Sequence, residues 1–399
     1  MIYGCAMIID RQIAKELLLL KTEYPVVTIL GPRQSGKTTL AKHALAGYEY
    51  SNLEIPEVRE LASRDPKAYL KQFKGPVILD EIQRVPDLLS YIQASVDTNP
   101  EPGRFVLTGS HQLMLRQSIG QSLAGRTALL TLLPFSVREL DAAGLRFDRF
   151  EEYAHHGFLP RIYDRSMRPT TAYSNYYQTY VERDVRQLIN LKDASAFEKM
   201  MKLLAGRAGR LLNMASLASD VGVDSHTIRA WLSVLEASFL VFRLPPYFEN
   251  FGKRVIKSAK YYFTDVGLLC FLLGIRTPEQ ITRDPLVGSI FENLVVVEVL
   301  KARLNRGLLP DLYFYRDSNG NEVDLLLPDA RKLHVAEIKS ASTFSWSLID
   351  GLRRFQALTR RCGKALLIYN GAEQHLSEEI QAIGFRNADR LLPEDEDPE

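Results

Sequence analysis

Cysteine is scarce in this chain. The three that occur in 399 residues, Cys5, Cys270 and Cys362, stand far apart and at no metal-ligand spacing. That leaves them as free buried thiols suited to a reducing cytoplasm. A run of about 18 apolar residues is also missing, so no helix is expected to span a membrane. The first ten residues, MIYGCAMIID, lack a basic lead and are broken by Asp10 and Arg11, which argues against a signal peptide. Net charge is nearly absent: 50 Lys and Arg against 48 Asp and Glu leave +2. Any affinity for nucleic acid must then come from a local patch. There is no internal repeat. A soluble, cytoplasmic protein is the expectation.

What is present is an average globular composition, 46% hydrophobic and 25% charged, on a chain too long for one ordinary core. The expected fold class is α/β. Residues 11–22 have helical periodicity. Apolar runs follow at Val26–Leu30, Val77–Leu79, Phe105–Thr108 and Ala128–Leu133, separated by helical stretches. Short continuous apolar strands of this kind predict a parallel sheet buried on both faces and flanked by helices. Residues 150–205 read as helical, and their tyrosine stripe (Tyr173, Tyr176, Tyr177, Tyr180) reads as core rather than as a platform for stacking bases. Residues 285–385 read as α+β, with a hairpin signalled by Asn319-Gly320. The expected domains are 1–148, 149–282 and 283–390, with an acidic tail at 391–399.

Gly31-Pro32-Arg33-Gln34-Ser35-Gly36-Lys37-Thr38, followed by Thr39, fits G-x-x-x-x-G-K-[ST] between a buried strand and a helix N-terminus. Glycines at 31 and 36 let the backbone wrap a phosphate, and successive amides with the helix dipole stabilise its charge. Lys37 is expected to reach the terminal phosphates of ATP and Thr38 to ligate Mg. The second apolar run ends in Asp80-Glu81: one carboxylate to position the metal, the next to orient or deprotonate an attacking water. The third run ends near Ser110, placed to sense a γ-phosphate. Strand carboxyl ends are where open α/β sheets bind ligands. Arg126 and Arg183 are candidates for the cation that stabilises the transition state, the alternative being an ordinary ion pair. Arg33 is expected to tie the loop to the sheet.

These segments, GPRQSGKTTLA, VILDEIQRVPDLL, FVLTGSHQLML and SLAGRTALLTLLPFS, resemble the AAA-type P-loop ATPases of prokaryotes that carry a C-terminal domain of uncharacterised function. The likeness continues through YVERDV, LASDVGVDSHTIRAWLSVLE, KSAKYYFTDVGLL and GSIFENLVVVEVL. It implies an ATPase core, then a winged-helix unit, then a domain with a restriction-endonuclease-like fold.

Residues 214–237 are patterned as two helices joined near Gly222, with Asp224 or Ser225 as cap of the second. The expectation is a winged helix that contacts DNA, or docks a protein or neighbouring domain. His226 and Arg229 are its main polar side chains, and Lys253, Arg254, Lys257 and Lys260 a basic wing able to touch phosphates.

Near the C-terminus, Asp324 opens a strand after the Asn319-Gly320 turn, and Glu337-Ile338-Lys339 closes the next. Period-two alternation puts Glu337 and Lys339 on one face. Glu292, on the apolar side of a helix, is expected to face the same site. A second Mg or Mn held by Asp324 and Glu337, with Lys339 assisting a water, is a reasonable phosphodiesterase arrangement. The alternative is a solvated strand face with a Glu337–Lys339 ion pair. The pattern resembles the PD-(D/E)XK nucleases, with Val323 where those have proline. Two functions follow as expectations: an ATP-driven enzyme acting on DNA, or an ATP-controlled switch whose C-terminal domain binds a protein partner without cutting. A small-molecule kinase fits less well, since Glu81 suits water activation. A homo-oligomer would be required if an arginine acts in trans.

Overall fold

The computed structural model describes residues 8–110, 122–185, 193–248, 257–377 and 379–393, and of residues 182–185 the backbone alone. Strands β1 (Val26–Leu30), β2 (Glu49–Asn52), β3 (Val77–Asp80), β4 (Phe105–Gly109) and β5 (Thr127–Thr131) form a parallel sheet in the order β2-β3-β4-β1-β5. Every residue of β1, β3 and β4 is buried, which is why these strands read as unbroken apolar runs. One face packs on the helices Ala14–Glu23 and Lys37–Ala44 through Leu17, Val27, Ile29 and Leu40. Register aligns Leu30 with Gly109 and Leu79 with Leu107. The ends of β1, β3 and β4 therefore deliver residue 31, Asp80 and Ser110 to one edge.

The middle of the chain is helical. Tyr173, Tyr176, Tyr177 and Tyr180 are all buried, so the stripe is core, as its spacing predicts. The helices Met214–Val221 and Ser225–Ala237 are joined through Gly222 at φ 93° and Asp224, which caps the second helix by accepting from Thr227 N at 2.8 Å. An antiparallel pair follows, β6 (Val241–Leu244) with β7 (Lys260–Phe263).

The last third begins with the helix Val287–Asn305, thirteen of whose nineteen residues are buried, including Asn293, Glu298, Lys301 and Arg303. Strands β8 (Tyr313–Arg316), β9 (Glu322–Asp329), β10 (Lys332–Lys339), β11 (Cys362–Tyr369), β12 (Gln374–His375) and β13 (Ile380–Gly384) make a mixed sheet ordered β12-β13-β11-β10-β9-β8. β8 and β9 meet through a turn with Gly320 at φ 83°. One apolar core runs from the first sheet (Val77, Leu107) through the middle helices (Tyr173, Leu232) to the long helix (Val295), so the parts are packed as a single body. Cys270 is buried, Cys362 half-buried, and Cys5 lies outside the described residues. No helix among the described residues is long and apolar enough to cross a membrane.

Candidate functional site

The turn after β1 is shaped by its glycines. Gly31 has φ 155°, and a Cβ there would come within 2.1 Å of the Leu132 carbonyl oxygen, so no side chain fits. Gly36, at φ 92°, caps the Lys37–Ala44 helix in a left-handed conformation. Lys37 is buried, and its ammonium folds back to donate to Gly31 O at 3.0 Å and Pro32 O at 2.8 Å. Burial pulls its pKa down to about 8, against the opposing pull of Glu81 and Asp80. The Ser35 hydroxyl is buried inside the loop with no hydrogen-bond partner among the described residues. A glycine-bounded loop at a helix N-terminus, with one ammonium folded against it and one unsatisfied hydroxyl, matches the needs of a polyphosphate.

Asp80 closes the other side. Its carboxylate accepts from Thr38 Oγ1 at 2.9 and 3.0 Å, from Tyr50 OH at 2.8 Å, and from Thr108 Oγ1. A hydroxyl and a carboxylate side by side are oxygen donors of the kind Mg takes alongside phosphate and water, so Thr38 and Asp80 fit that ion. Glu81, the next residue, is left-handed (φ 58°, ψ 48°), an uncommon conformation for a residue with a side chain. It turns the chain so that the carboxylate accepts from Ser110 Oγ at 3.2 Å and from Gln83 Nε2. Glu81 and Ser110 thus meet directly.

Arg11 holds the loop from outside. It donates to Ser35 O at 2.7 Å, to Leu133 O at 2.6 Å and to Glu139 Oε1 at 3.0 Å, and it is buried. Beside this clamp a cavity of about 670 Å³ opens onto Gln34 and Gly36, with Ile9, Leu40, His43, Ala44 and Pro160 in its wall.

The structure places the arginines and Lys260 as follows. Arg126 sits where its carbonyl accepts from Val26 N at 3.3 Å, at the amino end of β1 and one strand length from the phosphate loop, and it pairs with Asp97. At ~3.3 Å per residue the five-residue strand separates them by roughly 16 Å, so Arg126 is no part of the site within its own chain. Arg33 lies over the Tyr180 ring, 5.8 Å from its centre, and so meets the helical region. Lys260 is no wing lysine: it is buried, on β7, facing carboxylates. The Arg183 side chain, Lys253, Arg254 and residues 394–399 lie outside the described residues.

The C-terminal carboxylates also come together, in a cavity of about 330 Å³ that includes Arg210 and Arg316. Glu292 accepts from Lys260 Nζ at 3.0 Å and from Tyr262 OH at 2.6 Å. Asp324 accepts from Ile338 N at 2.8 Å and Lys339 Nζ at 3.0 Å. Glu337 pairs with Lys339 at 2.7 Å, and burial, then repulsion from Asp324, pushes its pKa up to about 8. Lys260 lies also 2.8 Å from Glu322 and 3.8 Å from Asp324. The expected ligands are therefore already held by ammonium groups. Among the described residues no group of three or more His, Cys, Asp or Glu is arranged to hold a metal. The second Mg or Mn does not fit this arrangement.

Sequence reasoning misses Tyr50, Thr108, Gln83, Arg11 and Glu322. Gln83, two residues past Glu81 in the same short turn, is the one whose spacing carried a signal.

Residues 23–141 match the AAA domain family. Residues 147–279 and 287–387 match two domains of unknown function, DUF8612 and DUF4143. The uncharacterized protein Rv2008c of Mycobacterium tuberculosis is 32% identical over 395 residues, 98% of this chain and 86% of that protein. An uncharacterized protein of Haemophilus influenzae is 25% identical over 331 residues, covering 74% of this chain and 79% of that one. Among solved structures, the Walker-type ATPase PABY2304 of Pyrococcus abyssi aligns with a TM-score of 0.44 at 16% identity, over 66% of this chain and 96% of that one.

Proposed function

The chain belongs to the family of the mycobacterial protein Rv2008c, its N-terminal part an AAA domain, and we propose that it is a Mg-dependent ATP-hydrolysing protein whose nucleotide state acts on its C-terminal half. The observation that carries this is the meeting of Thr38, Asp80 and Glu81 at the edge where the Gly31–Thr38 loop leaves β1. In this reading Lys37 leaves the Gly31 and Pro32 carbonyls to meet the phosphates, and Thr38 and Asp80 hold Mg. The metal's chemistry is to neutralise charge on the phosphates. Glu81, aimed by its left-handed backbone and by Ser110 and Gln83, orients the water that attacks. The base occupies the cavity between Ile9, Leu40 and Pro160, whose size suits a nucleoside.

For the C-terminal half, the reading is a winged helix directed to DNA followed by a nuclease-like domain. Support comes from the helix pair at Gly222 with the β6–β7 pair after it, and from His226 and Arg229, which are exposed on the second helix. The alternative, a switch that holds a protein partner, draws support from the pairing of the C-terminal carboxylates with lysines. Domains at 1–148, 149–282 and 283–390 remain our proposal.

Calorimetry with Mg-ATP tests the central claim. Wild type should bind one nucleotide per chain and Lys37→Ala none, with its circular dichroism unchanged. A folded wild type that gives no heat sinks the reading. Duplex DNA that accelerates turnover selects the DNA-directed half; a protein captured only with ATP, with no DNA effect, selects the switch.

A further inference from the structure

We propose that the Lys260 ammonium is a built-in cation standing where a carboxylate cluster of this kind would hold a divalent ion, so that the C-terminal cavity carries no metal. The carboxylates it serves come from separate parts of the chain. Glu292 is on the long helix, and Glu322 and Asp324 are on β9; their nearest oxygens lie 3.0, 2.8 and 3.8 Å from Nζ. Lys260 itself comes from β7, before all of them, and its side chain is 4% exposed, too buried to be a surface pair. Its ammonium also lies over the Phe314 ring, 5.4 Å from the centre.

Such placement answers the electrostatic problem of the cluster. Carboxylates removed from water are costly unless paired. A divalent ion is one solution; a protonated lysine donating to several oxygens is another, and here the second is in place. Burial works to strip the proton from Lys260, but Tyr262, Glu292, Asp324 and Glu322 around it outweigh burial and hold it charged. Lys339 does the same for the remaining oxygens, bridging Asp324 and Glu337 at 3.0 and 2.7 Å. The wall of the cavity then carries four cations, Lys260, Lys339, Arg210 and Arg316, against three carboxylates, Glu292, Glu322 and Asp324, while Glu337 keeps its proton up to about pH 8. No surplus of negative charge remains to draw a dication, and Mg, which demands near-octahedral oxygens, would meet an ammonium at the centre. One oxygen is left over: Glu337 Oε2 is buried without a hydrogen-bond partner among the described residues. The arrangement is not one for metal-assisted cleavage of a phosphodiester.

Manganese alone, titrated into the full chain without nucleotide and followed by the loss of the free-ion signal in electron paramagnetic resonance, tests this. Binding by wild type should be the same in Asp324→Asn and Glu337→Gln, since any site it has lies at Thr38 and Asp80. Lys260→Ser, which uncovers three carboxylates, should gain one further site per chain at least tenfold tighter, lost again when Asp324→Asn is added. Lys260→Met, which fills the space without charge, serves as a second variant and should gain affinity less. Wild-type manganese binding that falls in Asp324→Asn or Glu337→Gln overturns the inference. So does a folded Lys260→Ser chain that binds no more than wild type. Neither outcome bears on ATP binding, so the inference and the nucleotide reading fail separately.

Discussion

Glu292 and Glu298 stand six residues apart on the same buried helix, the first accepting from Lys260 and the second from the backbone of Val137. At ~1.5 Å per residue they are about 9 Å apart along the axis. Val137 begins the helix Val137–Ala142, whose Glu139 also holds Arg11, and Arg11 holds Ser35 of the phosphate loop. A rigid element thus joins the nucleotide edge to the C-terminal cavity through hydrogen bonds that each have a named donor.

Glu298 carries that link from a buried position on the long helix. Its second oxygen accepts from Lys301 at 2.8 Å, and Lys301 donates also to Phe135 O at 2.7 Å. Glu298→Ala leaves Lys301 buried with its charge partner gone, which should cost about 3 kcal/mol of stability. Denaturant unfolding measures this; a cost under about 0.5 kcal/mol removes the link from the energetics of the fold.

Arg11 is the clamp on the loop. Arg11→Lys cannot reproduce three bonds in a planar fork, so the Ser35 carbonyl loses its donor. With charge-assisted hydrogen bonds contributing about 1.5–3 kcal/mol, Mg-ATP should bind at least tenfold more weakly by calorimetry. Unchanged affinity would mean the loop needs no outside support.

Glu81→Gln keeps the shape and removes the carboxylate that the proposed reading assigns to the attacking water. ATP should remain bound while turnover falls by about 100-fold or more, the scale of a lost general base. Single-turnover hydrolysis decides it, and full activity in the variant moves the water-positioning role elsewhere.

Ala44→Trp fills the cavity beside Gly36 from a half-buried position on the helix. If the base sits there, ATP affinity should fall at least tenfold with unfolding temperature nearly unchanged. Inorganic triphosphate, which has no base, should bind both proteins alike.

Glu337 sets a pH dependence. Its pKa is raised from 4.5 to about 8, so between those values the folded chain keeps a proton that the unfolded chain has lost. Its contribution to stability is complete below pH 4.5, declines as pH rises, and is gone above about 8. Denaturant titrations at pH 5 and pH 8 should show that decline in wild type, and a smaller one in Glu337→Gln. Parallel curves for the two proteins would refute it.

The parallel sheet is legible in the sequence because β1, β3 and β4 are buried on both faces. β2 is not: Glu49-Tyr50-Ser51-Asn52 lies at the sheet edge with Glu49 and Tyr50 exposed, so nothing apolar marks it. Tyr50 reaches Asp80 only because β2 pairs with β3 in a register that sets Asn52 against Asp80, a relation no local pattern contains. The meeting of Thr38 with Asp80 follows from two strand ends that are apolar and short. Lys260 shows the opposite case. Three residues after Lys257 in a basic stretch it reads as solvated, yet β7 is buried along its whole length and the long helix brings Glu292 onto it.

The pairing of Lys260 with Glu292 and Glu322 bears on where this chain can be cut. A fragment beginning at residue 283 would retain the acidic side chains and lose the lysine that neutralises them, since the latter belongs to β7. Its interior would then hold repelling anions with nothing of opposite sign in reach except Lys339 and Arg316, since Arg210 is lost with Lys260. The C-terminal sheet, although complete in its own strands, is therefore not separable at the point where its sequence begins, and expression boundaries should be drawn before residue 257.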